Sequence, residues 1–127
     1  RGAALSDYDA DGRTDLAVGQ NGAETKLFRN VGARPGLRVR LAGPAENPQG
    51  VGAALRILSK AGPGPVREIH AGSGYWSQES AVQVLCAPRK ATQLWVRWPG
   101  GRSFTNDLPT GAREITVDNN GRIVGTK

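Results

Sequence analysis

Turn-forming residues interrupt this chain at short intervals and leave no room for long helices. Gly and Pro account for 18 and 8 of the 127 residues, and no segment keeps a helical apolar period over about ten residues. The segments between the turns alternate in polarity or are short and apolar, as β-strands are. The predicted strands are 16–19, 25–30, 37–41, 52–60, 66–71, 81–86, 93–98, 102–106, 114–117 and 122–124. This spacing predicts an all-β fold, either an antiparallel β-sandwich or a partly open barrel.

Two of these segments carry expectations about burial. The segment 81–86 is mostly apolar, so we expect it at the centre of a sheet, followed by a turn at 88–91. The single Cys86 cannot form an internal disulfide, and its apolar surroundings predict a buried free thiol. In segment 93–98, alternation places Trp95 and Arg97 on one face. The opposite, apolar face consists of Leu94, Val96 and Trp98.

Four of the eleven acidic residues lie within the nine-residue segment 7–15. Carboxylates this close repel one another, and a hard cation such as Ca²⁺, which takes about six to eight oxygen ligands, offsets that repulsion. Gly12 permits the sharp turn that returns the last carboxylate to the same ion. We therefore predict Ca²⁺ as the cofactor, bound by side chains and one backbone carbonyl. The predicted ligands are Asp7, Asp9, Asp11 and Asp15 through their carboxylates and Arg13 through its carbonyl oxygen.

The alternative for segment 7–15 is a solvated Asp-rich turn, since Asp favours turns without a metal. The segment is not an EF-hand loop, because Val18 stands where that loop needs a bidentate Glu. The next two predicted strands meet at Asn21-Gly22, a strong hairpin signal. A two-stranded hairpin is marginal alone, so residues 1–32 must pack on the chain that follows or on sequence upstream.

Residues 1–32 resemble an FG-GAP/VCBS repeat, one blade of an integrin-α-like β-propeller with a Ca²⁺ loop. The resemblance rests on the Asp spacing in 7–15, on Leu16-Ala17-Val18-Gly19, and on Leu27-Phe28-Arg29-Asn30-Val31-Gly32. It implies a calcium-binding repeat fragment whose β-hairpin precedes the main domain. It also implies that upstream propeller repeats of the same protein are a partner.

Residues 37–125 resemble the ASPIC/UnbV domain, which follows FG-GAP repeats in cartilage acidic protein and in many secreted bacterial proteins. Four blocks carry the resemblance: 47–53, 67–69, 72–80 and 96–101. The family usually has a His-Phe-Gly-Leu-Gly-like segment where this chain has 84–87, so a role tied to that segment is not expected here. The resemblance implies an extracellular or secreted protein, periplasmic or at the cell surface in a bacterium, linked to adhesion or matrix interactions and without established catalytic activity.

The glycine-flanked segment 72–80 is the predicted ligand-binding surface. It combines aromatic rings with an amide and a hydroxyl, the groups with which proteins bind glycans. The predicted contact residues are Tyr75, Trp76, Ser77 and Gln78. The alternative is that both aromatic residues close one end of the core, because large aromatics are mostly buried.

Catalysis is not predicted. His70 is the only histidine and is expected at a surface or an edge, and Gly72-Ser73-Gly74 is not the five-residue nucleophile elbow. Nothing in the sequence fixes the separation of Glu68 and Glu79, the one candidate carboxylate pair.

Charge and hydropathy restrict the partners. The net charge is +6, but the basic residues are scattered, so a specific nucleic acid is not expected. No apolar segment reaches membrane-spanning length, and no membrane partner is predicted. Three functions remain: a calcium-stabilised adhesion or glycan-binding module, a structural C-terminal cap of an upstream propeller, and, behind these, a polyanion binder that uses Arg38, Arg40 and Arg56.

Overall fold

Twelve strands and no helix make up the part of the chain that the computed structural model describes, residues 1–87 and 91–127. The strands are β1 (Gly2–Ser6), β2 (Asp15–Gln20), β3 (Ala23–Phe28), β4 (Leu37–Ala42), β5 (Ala54–Ser59), β6 (Gly62–Pro63), β7 (Arg67–Glu68), β8 (Gln83–Leu85), β9 (Ala91–Arg97), β10 (Ser103–Asp107), β11 (Glu114–Asp118) and β12 (Ile123–Thr126). The predicted all-β class is confirmed. The turn predicted at 88–91 lies, for residues 88–90, outside the described residues.

Two sheets form a β-sandwich from β4 onward. In one, the strand order is β10-β9-β5, and β6 and β7 both pair with the other edge of β5. In the second, the order is β12-β11-β4-β8, with β11 parallel to β4 and antiparallel to β12. None of the described sheets closes into a barrel, so the sandwich is the form that the chain adopts.

The core lies between the two sheets because each presents one apolar face to the other. Its buried residues alternate along the central strands: Leu37, Val39 and Leu41 of β4, Leu55 and Ile57 of β5, Leu94 and Val96 of β9, and Ile115 and Val117 of β11. The face predicted for segment 93–98 is confirmed, since Trp98 joins Leu94 and Val96 in this core while Arg97 is exposed.

A third, antiparallel sheet with the order β1-β2-β3 precedes the sandwich. The predicted hairpin is present as β2 and β3, and β1 is an additional strand that the sequence did not predict. Its small residues (GAALS) carry a weak strand signal, and its pairing with β2 decides its conformation. Every residue of β3 is exposed.

The third sheet packs on the sandwich through backbone hydrogen bonds. Ala3 and Tyr75 exchange two of them, from Ala3 N to Tyr75 O at 2.8 Å and from Tyr75 N to Ala3 O at 3.0 Å. Ser80 N donates to Leu5 O at 3.1 Å. The segment 72–80 is therefore pinned against β1.

Three expectations about 66–86 were wrong. The strand predicted for 66–71 is only β7, because Ile69 turns into the core and bonds to the backbone of Ala53. The segment 81–86 forms β8 at a sheet edge instead of the centre, since β11 occupies the other side of β4. Only Leu85 of β8 is buried, and Cys86, one residue beyond it, is exposed.

Candidate metal centre and binding loop

Three of the predicted metal ligands converge in the loop between β1 and β2. Asp7, Asp9 and Asp15 each offer a carboxylate oxygen, and these three oxygens lie within 4.8 Å of one another. Asp7 follows the last residue of β1 and Asp15 is the first residue of β2. The strand pairing of Ser6 with Asp15 therefore brings the two ends of the loop together.

The loop is wound around its own carboxylates. Asp7 accepts the backbone N–H of Asp11 at 3.0 Å and that of Gly12 at 2.8 Å. Asp15 accepts the backbone N–H of Tyr8 at 3.2 Å and that of Asn30 at 2.7 Å. Gly12 has φ +83°, a conformation that favours glycine. Asp7 and Asp15 thus hold the loop by hydrogen bonds to the backbone in addition to any ligand role.

Asp11 lies outside the converging trio. Its Oδ2 accepts from Arg13 Nη1 at 2.7 Å and lies 3.4 Å from Arg29 Nη2. Burial alone would raise the pKa of Asp11, but the hydrogen bonds and charge of Arg13 and the charge of Arg29 outweigh it, and the pKa lies below its ordinary value. Arg13 Nε also donates to Ala33 O at 2.7 Å. The structure therefore places the predicted ligands in one loop but brings together only three of their carboxylates.

The donor chemistry of the trio fits a hard divalent cation. Carboxylate oxygens are the ligands that Ca²⁺ prefers, and each ionised carboxylate has about four lone-pair directions. Hydrogen bonds from backbone N–H groups occupy only part of that capacity on Asp7 and Asp15. Asp9 is paired with Arg29 Nε at 2.7 Å. An ion in this loop would therefore compete with a guanidinium for Asp9.

A buried ion network ties the loop to the sandwich. Arg38 of β4 donates from Nη1 to Asp7 Oδ2 at 2.5 Å and from Nε to Glu114 Oε2 of β11 at 2.7 Å. The hydrogen bond from Arg38 lowers the pKa of Glu114, and the nearby charges of Lys127 and Arg40 act in the same direction. Sequence reasoning missed this network because the alternation in 37–41 indicates an exposed Arg38. The only available signal was an Arg between buried apolar positions near an acidic loop.

The aromatic residues of segment 72–80 project into solvent. Tyr75 is 62% exposed and Trp76 84% exposed, so the alternative that they close the core is wrong. Trp76 has φ +51°, a left-handed conformation that costs a residue with a Cβ about 1–2 kcal/mol. The structure therefore presents a large indole on a strained backbone, outside the core.

Ser77 and Gln78 support this loop from within. The Ser77 hydroxyl donates to Ala3 O. The Gln78 side chain accepts from Gly72 N at 2.5 Å and donates to His70 O at 3.1 Å. Two of the four predicted contact residues are thus exposed aromatics, and the other two hold the loop in place.

The remaining candidates for chemistry lie apart from these sites. His70 is exposed, as predicted, with Nδ1 at 3.7 Å from Glu68 Oε1. The Arg residues predicted for polyanion binding do not form one free cationic surface. Arg38 is buried in the ion network, and Arg56 lies over the Trp95 ring at 5.1 Å from its centroid.

Fold and site thus define a β-sandwich with a small acidic-loop sheet docked against it. Residues 43–123 match the family model described as ASPIC and UnbV. The chain therefore belongs to the ASPIC/UnbV family, as its sequence blocks predicted. No curated protein matches the chain. The third sheet precedes the matched residues, and its likeness to an FG-GAP/VCBS repeat stays a prediction.

A helix must be long and apolar to cross a membrane. Within residues 1–87 and 91–127, no helix is long and apolar enough to cross one.

Proposed function

We propose that this chain is a non-catalytic, extracellular calcium-binding module that mediates adhesion by binding a glycan or matrix component through Tyr75 and Trp76. The observation that carries the proposal is Trp76, which is 84% exposed at φ +51°. Strained residues persist where the surroundings hold them, and they cluster at functional sites. An exposed indole in such a conformation has no stabilising role in the core that would account for it.

The hydrogen bonds that hold segment 72–80 in place favour ligand binding. Backbone hydrogen bonds to Ala3 and Leu5 fix the loop on one side, and the Gln78 amide fixes it on the other. Such preorganisation lowers the entropy cost of binding. An aromatic face provides apolar contact to a sugar ring, while neighbouring polar groups meet its hydroxyls.

In this proposal, calcium acts on the aromatic loop indirectly, by stabilising strand β1. The proposed ligands are the carboxylates of the converging trio and of Asp11 and the backbone carbonyl of Arg13. A bound ion would link these groups and so hold the loop together. That loop joins the end of β1 to the start of β2, and β1 is the strand that pins segment 72–80. A calcium ion at the trio would therefore stabilise the strand on which the aromatic loop rests. Extracellular calcium modules bind with Kd values of about 10⁻⁴ to 10⁻³ M, which suits a secreted, periplasmic or cell-surface location.

The test is a glycan and matrix-protein binding screen, run with millimolar Ca²⁺ and with chelator. We expect a ligand whose binding is lost in Trp76→Ala and weakened by chelator, with an unchanged circular dichroism spectrum. Phe28→Ala is the matched control, because Phe28 is also an exposed aromatic, 52% exposed, on the distant edge strand β3. Equal binding by Trp76→Ala and the wild type would contradict the proposal.

A second candidate function is a structural cap for upstream propeller repeats. It is favoured by β3, a fully exposed edge strand that carries Leu27 and Phe28, each 52% exposed. Exposed apolar edges of this kind are normally covered. A chain extended by the preceding repeats should then melt at a higher temperature than residues 1–127, with slower amide exchange in β3. No difference in either measurement would exclude this function.

A further inference from the structure

A cleft of about 660 Å³ opens where the acidic loop, the connector before β4 and the end of β8 meet. Its charged lining residues are all basic, namely Arg13, Arg34 and Arg67. Thr14 contributes a polar group to the lining of the cleft, and the exposed Cys86 also lines it. A cleft of this size falls within the range of about 300–1,000 Å³ of small-ligand sites.

Two of these guanidinium groups have no carboxylate partner among the described residues. Arg13 is occupied by Asp11 and by Ala33 O. Arg34 and Arg67 are exposed, and neither forms an ion pair with a carboxylate in residues 1–87 and 91–127. The planar guanidinium fork matches carboxylate and sulfate groups with two parallel hydrogen bonds. The cleft therefore offers two free forks to an anionic ligand.

The cleft continues toward the aromatic loop. An adjoining cleft of about 290 Å³ shares Thr14, Arg67 and Val84 with it and is also lined by Asp7, Glu79 and Ser80. These last two residues end segment 72–80. The two clefts adjoin at the junction of the third sheet and the sandwich, one lined by the end of the aromatic loop and the other by Arg34. We call the pair the junction groove.

We propose that the junction groove binds an acidic oligosaccharide, whose carboxylate or sulfate groups pair with Arg34 and Arg67. The inference rests on the glycan-binding function proposed above and names a ligand class and a second contact site for it. A chain-like ligand suits the groove because its two clefts adjoin, with Thr14, Arg67 and Val84 lining both. The acidic Glu79 at one end accepts hydrogen bonds from sugar hydroxyls, whereas the basic end selects anionic units.

The first test measures binding of three probes by calorimetry: a uronate-containing hexasaccharide, its carboxyl-reduced form and a sulfated hexasaccharide. We expect the Arg34→Ala/Arg67→Ala double variant to bind the charged probes at least about tenfold more weakly, because two charge-assisted contacts are lost. The carboxyl-reduced form should bind both proteins equally. Comparison of the uronate and sulfate probes shows which anion the groove prefers.

A charge-matched control separates a site from general attraction. Lys60→Ala/Arg122→Ala removes two exposed positive charges from residues that line neither cleft. We expect it to retain the affinity of the wild type for the charged probes. An equal loss in both double variants, or equal binding of a single-stranded oligonucleotide with the same loss, would overturn the proposal, since net charge alone would then explain binding.

Cys86 provides a readout located in the groove itself. The uronate hexasaccharide at saturation should slow alkylation of Cys86 several-fold, and the double variant should lose this protection. Unchanged alkylation with bound probe would overturn the groove assignment. Binding that needs Trp76 but neither Arg34 nor Arg67 would overturn the groove and leave the glycan-binding function standing, whereas the absence of binding to all charged and neutral glycans would refute both.

Discussion

Replacement of Arg38 by Ala tests the junction between the acidic loop and the sandwich. The side chains of Asp7, Arg38 and Glu114 are 1%, 9% and 11% exposed, so water does not replace the lost guanidinium readily. Removal of one partner from a buried ion pair costs about 3–5 kcal/mol, because the remaining charge stays buried and unpaired. Here two carboxylates, one on the loop and one on β11, lose the same partner.

We expect the lower end of this range of unfolding free energies, because both carboxylates keep other contacts. Asp7 keeps the hydrogen bonds from the backbone N–H groups of Asp11 and Gly12. Glu114 keeps longer contacts, at 3.8 Å to Arg40 Nε and 3.9 Å to Lys127 Nζ. We therefore expect Arg38→Ala to lower the free energy of unfolding by about 3 kcal/mol. For a chain of 127 residues this corresponds to a fall in melting temperature of about 10 °C.

The assay is thermal and urea denaturation of the wild type, Arg38→Ala and Arg40→Ala in chelator. Arg40 lies on the same strand, but its side chain is 51% exposed, so its removal should cost less than about 1 kcal/mol. The double variant Asp7→Ala/Arg38→Ala should cost less than the sum of its single variants, because the two residues share one interaction. A similar effect of Arg38→Ala and Arg40→Ala, or strict additivity in the cycle, would refute the reasoning.

Three further predictions use the same denaturation assays. Calcium at about 1 mM should stabilise the wild type by about 1.4 kcal/mol if Kd is about 10⁻⁴ M, and Asp9→Ala should abolish this response while the surface control Asp107→Asn keeps it; a full response in Asp9→Ala would contradict the ligand assignment. Trp76→Gly should be more stable than Trp76→Ala by about 1 kcal/mol, since Gly adopts φ +51° without strain, and equal stabilities would mean that the backbone there is relaxed. The folded-state pKa of Glu114 lies below its ordinary value of 4.5, so its stabilising effect is present above that value and is lost as the pH falls through the lowered pKa. Glu114→Gln should therefore lose less stability than the wild type as the pH falls below 4.5, and parallel curves would contradict this.

Local patterns were sufficient for the long central strands of the sandwich. Alternation in 37–41 and 93–98 identified β4 and β9 and their apolar faces, since a period of two survives burial on one side. The buried Arg38 on the other face of β4 was not predicted. The Asn-Gly signals identified the β2–β3 and β11–β12 hairpins. The parallel pairing of β4 with β11 was out of reach, because it joins segments far apart in sequence and leaves no local mark.

The acidic loop was predictable as a loop but not as a junction. Its spacing identified the three carboxylates that converge but also included Asp11, which lies outside them. The choice of Arg38 as a partner depends on how the third sheet docks. The sequence left the burial of Tyr75 and Trp76 open for a related reason. Base rates of burial favour aromatics in the core, but here the hydrogen bonds of Ala3 fix the loop at the edge of the junction and leave its rings outside.

Asp7 links the metal, the fold and the aromatic loop. One of its oxygens receives Arg38 and Gly12, and the other receives the backbone of Asp11, so the residue is ordered before any ion binds. A cation at the trio then meets two preorganised carboxylates, Asp7 and Asp15, and one exposed carboxylate, Asp9, which must leave Arg29. Calcium would accordingly act on the outer part of a loop whose inner part is already fixed to β4. The effect of calcium on ligand binding should therefore pass through β1 and remain modest, while the effect of Arg38 on stability should be large even in chelator.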